Sequence, residues 1–95
     1  MVYFVTYDLR APERNYEDLI RGLESFGKWW HQTGSCWLIV TSKSTVEVRD
    51  YLMQFIDSND KLFVIQVIRN WAGIGFTENE YMWLRSLPDT AWNIQ

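Results

Sequence analysis

Val2-Tyr3-Phe4-Val5-Thr6-Tyr7-Asp8 is β-branched or aromatic up to its last residue, where a carboxylate ends it. Such a run favours extended backbone. With almost no polar alternation, it predicts a strand buried on both faces, or nearly so. The residues after it change character at once. Asp8-Leu9-Arg10-Ala11-Pro12-Glu13-Arg14 is polar, carries a proline and predicts a loop. Asn15 can cap a helix, and Glu17 and Asp18 suit its positive first turn. Tyr16, Leu19, Ile20, Leu23 and Phe26 recur at helical spacing, and Gly27 is the stop.

Further along, Lys28-Trp29-Trp30-His31-Gln32 and Ser35-Cys36-Trp37-Leu38-Ile39-Val40-Thr41 predict two strands around Thr33-Gly34. Ser44 and Glu47 have the spacing of a capping box, in which each side chain satisfies an orphan amide of the first turn. Val48, Leu52, Phe55 and Ile56 supply the apolar face of that helix, and Asp57-Ser58-Asn59-Asp60 ends it. Leu62 to Ile68 is a fourth strand, again nearly continuous in apolar residues.

Strand, helix, strand, strand, helix, strand is the order of an α+β fold. A ferredoxin-like βαββαβ sandwich is its simplest closed solution, with both helices on one face of a four-stranded antiparallel sheet. The other face then needs a cover, and a partner chain is the economical one. Residues 69–95 lie beyond this core of 1–68 in the same single domain. Residues 71–76 predict a short extra strand. Thr77 with Glu80 opens a helix carrying Tyr81, Trp83, Leu84 and Leu87. This extension is too apolar to float free, so it packs on its own sheet or reaches a partner.

Composition narrows the functions. The 95 residues are 47% hydrophobic and 22% charged, which is globular rather than disordered. Aromatics reach 17%, with six Trp, enough to fill an interface as well as a core. Nine Lys and Arg against twelve Asp and Glu leave a net charge of -3. Non-specific polyanion binding draws on excess cations, so it is disfavoured, though a local basic patch is compatible with this balance. A single Cys36 excludes an intrachain disulfide and a cysteine-rich zinc site, and one His excludes a multi-histidine site within one chain. No apolar run approaches the roughly 18 residues of a membrane span. The expected setting is the cytoplasm.

The topology also says where polar residues should gather. The loop after the first strand, the 32–35 hairpin and the loop after the second helix meet at one end of the sheet. They carry Asp8, Arg10, Arg14, Asn15, Gln32, Ser35, Asp57 and Asp60. Asp8 ends a buried strand and can ligate a hard cation or tune a proton transfer. Equally, it can cap its own turn or pair with Arg10 or Arg14. Arg10, Arg14, Asn15 and Gln32 are the candidate nucleic-acid or phosphate contacts, and the alternative for the arginines is plain solvation. Asp57 and Asp60 can join Asp8 on a metal or simply terminate a helix. His31 and Cys36 read as packed residues. Trp29, Trp30 and Trp37 can stack bases, but without a cationic stripe, core or dimer packing fits them better.

Val2 to Arg10 resembles the opening strand of the small CRISPR-associated adaptation subunit (Cas-two) and of the VapD toxins, where a hydrophobic strand ends in Tyr-Asp or Phe-Asp. Gln32-Thr33-Gly34-Ser35-Cys36-Trp37 is similar to their second and third strands. Over residues 1–72 the chain resembles small uncharacterised bacterial and phage proteins with a Tyr-Asp-Leu start, a Ser-x-Trp-Leu strand, an Ile-Asp-x-Asn-Asp-x-Leu loop and a Trp-Ala segment. The resemblance implies a ferredoxin-like homodimer joined through its sheets, often with a fifth strand exchanged near 71–76. It also implies a metal-dependent endonuclease in which Asp8 of each protomer holds Mg²⁺ or Mn²⁺, with Ser35 at the position of a catalytic serine. Two departures stand beside it. The loop after the first strand lacks the family's basic run, and the net charge is acidic. A non-catalytic dimer that binds a nucleotide, nucleic acid or protein, in phage–host defence for instance, is the alternative.

Overall fold

Seven elements follow in order: β1 (Val2–Asp8), α1 (Glu17–Glu24), β2 (Lys28–Thr33), β3 (Cys36–Val40), α2 (Thr45–Met53), β4 (Lys61–Val67) and α3 (Glu78–Ser86). They come from a computed structural model that describes residues 1–11 and 16–92. The fold is α+β. Its sheet has the order β2-β3-β1-β4, with every neighbouring pair antiparallel. β1 is therefore an interior strand, as its apolar sequence requires.

Local chemistry sets the helix starts. The Ser44 hydroxyl accepts from the Glu47 amide at 3.1 Å, and the Glu47 carboxylate accepts from the Ser44 amide at 3.0 Å. Thr77 and Glu80 repeat the reciprocal pair at α3, at 3.3 and 2.6 Å. These are the capping boxes predicted from spacing. α1 begins after Tyr16 with no side-chain cap. Its expected cap, Asn15, lies outside the described residues. Gly27 follows α1 at φ 87, a left-handed turn that suits a residue without Cβ and feeds the chain into β2.

The sheet is the shared wall of two cores. On one face Tyr3, Val5, Trp37 and Ile39 pack against Leu19 and Leu23 of α1 and Val48 and Leu52 of α2. The buried Tyr3 hydroxyl donates to the Lys43 carbonyl at 2.5 Å, and the Trp37 indole donates to the Tyr7 hydroxyl at 3.1 Å. On the other face Val2 is fully buried beneath Leu84, Leu87, Ala91 and Trp92, with Trp30, Leu38, Val40 and Val67 alongside. The extension thus packs on its own sheet. Arg69 pairs with Asp89, tying its two ends together.

The extra strand expected at 71–76 does not form. The segment is irregular and pairs with no strand among the described residues. Gly75 sits at φ 90 and turns the chain back. Phe76 closes onto Trp30 at 5.2 Å and onto Tyr81 at 5.6 Å. Aromatic packing against the sheet face has outcompeted edge pairing.

If the second core carries stability, Leu84→Ala should cost about 2–4 kcal/mol, since it opens a cavity under a central strand. Ser44→Ala should cost about 1 kcal/mol by losing one cap. Urea unfolding followed by tryptophan fluorescence measures both. A Leu84→Ala midpoint equal to the native one would mean that the extension is dispensable.

Candidate functional site

The end of β1 is fixed by one carboxylate that is not its own. Asp60, in the loop between α2 and β4, accepts the Arg10 amide at 2.6 Å on one oxygen. Its other oxygen accepts the Tyr16 hydroxyl and the Asp57 amide, each at 2.8 Å. The Tyr16 hydroxyl in turn accepts from the Ala11 amide at 3.2 Å. The loop after β1 and the loop after α2 are thereby buckled together, and Asp60 is committed to structure. Burial and the neighbouring Asp60 carboxylate push the Tyr16 phenol up.

Asp8 projects from this buckle about half exposed, at 53%. Both Nε and Nη2 of Arg10 donate to one Asp8 oxygen, at 2.8 and 2.6 Å. The Arg10 hydrogen bond holds the Asp8 carboxyl below the usual aspartate range. The positive charges of Arg10 and Lys61 add to this, and Asp60 opposes it. Of the alternatives open from sequence, the structure shows Asp8 paired with Arg10.

Ser35 approaches the same end from β3, its carbonyl accepting the Tyr7 amide at 3.2 Å. Its side chain and that of Gln32 are exposed. His31 turns away, stacking on Trp37 at 3.9 Å and 13° with Nε2 2.6 Å from the Gly34 carbonyl. Arg14 and Asn15 lie outside the described residues. Trp29 packs on Trp37 at 5.3 Å, on the helix side of the sheet, while Trp30 faces the other way.

Sequence reasoning missed the residues that β-pairing adds. The antiparallel register sets Asp8 opposite Lys61, Thr6 opposite Phe63 and Phe4 opposite Ile65. Alternation puts all six on the face that the extension covers only at its far end. Phe63 is 59% exposed and Ile65 46%. A shallow depression there is lined by Thr6, Asp8, Lys61 and Phe63, among others. Matching the alternation of β1 to that of β4 would have found this register, but both strands read as apolar throughout.

Asp8 offers a hard oxygen donor of the kind Mg²⁺ or Mn²⁺ takes. It is one carboxylate per chain, however, and no cluster of three or more His, Cys, Asp or Glu residues able to hold a metal occurs among the described residues. A cation at Asp8 would need further ligands from a second chain, from substrate or from water, and would have to displace Arg10.

The Asp8–Arg10 pair has a pH signature. A depressed folded pKa means that its contribution is fully present above the unfolded value of roughly 3.9 and is lost as pH falls through the folded value. NMR titration should find the Asp8 carboxyl below the ordinary range, and Arg10→Ala should return it upward. Asp60→Ala should cost on the order of 1–3 kcal/mol, because it orphans two amides and a phenol. An unchanged unfolding midpoint would show that the buckle contributes nothing.

None of the helices among the described residues is long and apolar enough to cross a membrane. No family model matches this chain, and no solved structure matches it.

Proposed function

We propose that this chain is a ferredoxin-like homodimer of the Cas-two and VapD kind. It works on nucleic acid in the cytoplasm as a metal-dependent endonuclease, with Asp8 as the metal-binding and catalytic position. One observation carries the reading. The half of the sheet left open by the extension presents Phe63 and Ile65 to solvent and has Asp8 beside Lys61 at its rim. Two such faces stacked about a two-fold axis would bury the apolar residues and bring two Asp8 carboxylates near each other. The strand order β2-β3-β1-β4, with antiparallel pairing throughout, supports the ferredoxin-like part.

Two carboxylates facing each other supply what one chain lacks. Between them a Mg²⁺ or Mn²⁺ ion would polarise a phosphodiester and lower the pKa of an attacking water. Arg10, released from Asp8, would turn its fork to a flanking phosphate. Arg14, Asn15 and Gln32 are the further candidate phosphate contacts by their side-chain chemistry, and Ser35 is the further catalytic position on the resemblance to those proteins.

The Asp8–Arg10 pair at 2.6 Å favours a second reading, since it neutralises the proposed ligand. In that reading the dimer binds a nucleotide, a nucleic acid or a protein without cleaving anything.

Light scattering should report a dimer, and Phe63→Lys should convert it to a monomer. Mn²⁺ should support cleavage of RNA or DNA by the native protein. Asp8→Ala should abolish cleavage while the dimer persists. A dimer that binds nucleotide but leaves nucleic acid intact would select the second reading, and a stable native monomer would remove both.

A further inference from the structure

β4 is an outer strand of the sheet, and no strand pairs with its free edge among the described residues. Edge strands are ordinarily blunted by a proline, a bulge, an inward charge or a covering element. β2, the opposite edge, follows that rule. Its pairing is bulged between Trp30 and Thr33, and the Trp30 indole donates to the Glu80 carbonyl of α3 at 2.9 Å. β4 does not follow it. Lys61-Leu62-Phe63-Val64-Ile65-Gln66-Val67 contains no proline or glycine, runs along β1 without a bulge, and carries its one charge at its first residue.

α2 overhangs this edge, where Thr45, Val46 and Arg49 share a depression with Leu62, Phe63 and Val64. Met53 lies two turns on from Val46 and so on the same flank of the helix. Val46 and Met53 are 52% and 54% exposed. Between them Arg49 and Asp50 form an exposed ion pair at 2.8 Å.

This flank is its own complement. In an antiparallel pair of α2 helices, Val46 of one copy meets Met53 of the other, and Arg49 of each meets Asp50 of the other. A strand pair centred on Val64 does the same for β4. Phe63 of each copy then stands opposite Ile65 of the other, an aromatic and β-branched pair of the kind that stabilises sheets. One two-fold axis at the seam produces both alignments. A peptide from another protein could use the strand edge, but it has no counterpart to the helix flank. We propose that β4 takes a second copy of this chain along its edge, joining two sheets into one antiparallel sheet of eight strands, four from each copy. The contact is separate from the stacked face and leaves Asp8 and the open face free. Its short seam, held by main-chain hydrogen bonds and solvated charges, belongs to the small, transient class of interfaces. It therefore fills at higher concentration than the stacked dimer.

Charge reversal makes the test. Arg49→Glu gives every copy two acidic residues at the seam, and Asp50→Lys gives every copy two basic ones. Both side chains are exposed, so neither change disturbs the core. Light scattering is run from about 10 µM to about 1 mM on the native chain, on each variant and on their equimolar mixture. The native mass should climb with concentration, and the outward amides of β4 should slow in hydrogen exchange as it does. Each variant alone should self-associate at least about tenfold more weakly, because like charges then face each other twice across the seam. The mixture should associate at least as tightly as the native chain, since its acidic and basic copies match. A native mass that stays constant over this range, a climb that either variant retains undiminished, or a mixture no tighter than its components would overturn the proposal. The mass of the dilute native chain reports the stacked dimer separately, so the failure of one contact is not mistaken for that of the other.

Discussion

The antiparallel alignment of β1 with β4 is the constraint on which everything else rests. It runs unbroken from Val2 opposite Val67 to Asp8 opposite Lys61. A slip of one residue would send every side chain of β4 to the opposite face. Leu62 and Val64 would leave the helix-side core, and Lys61 would no longer stand beside Asp8. The apolar interior and the polar rim are thus two consequences of one register. Burial of Tyr3 and Val5 beneath the helices, and of Val2 beneath the extension, fixes that register from both sides.

The rim shows how such a scaffold holds a charged end still. Asp60 spends both oxygens on the backbone and on Tyr16, so the loop after β1 cannot drift from the loop after α2. Arg10 is held at two separate points. Its amide belongs to the buckle, and its guanidinium belongs to Asp8. That division separates structural strength from the exposed pair. A solvated ion pair contributes little to folding and is correspondingly cheap to exchange for another partner. Arg10 can therefore leave Asp8 without loosening the loop that carries both.

Much of this was legible in the sequence. The two capping boxes needed only the Ser44–Glu47 and Thr77–Glu80 spacings, because capping is a local interaction. The succession of strands and helices followed from runs such as Val2 to Tyr7 and Leu62 to Ile68. Residues 71–76 misled because Trp71, Ile74 and Phe76 look like strand residues, whereas a tertiary contact between Phe76 and Trp30 decided their shape. Tyr16 read as an apolar helix residue, and only its hydroxyl, reaching Asp60 across 44 positions of chain, revealed a second role. The open half of the second face was hidden for the same reason. Which residues the extension covers depends on where it lands, and no local pattern encodes that.

The hairpin holds one last detail. Trp30 pairs with Leu38 and Thr33 with Cys36, so β2 spends three steps where β3 spends two. That extra residue reverses the alternation, and it lets Trp30 and Thr33 look into the same cavity between the extension and the sheet although an odd number of positions separates them. The bulge at His31-Gln32 therefore absorbs one residue without turning the tip over. Removing a residue there would restore plain two-for-two alternation and leave Thr33 on the cavity face, still opposite Cys36; what would be lost is the local kink and extra twist that the bulge gives the ribbon.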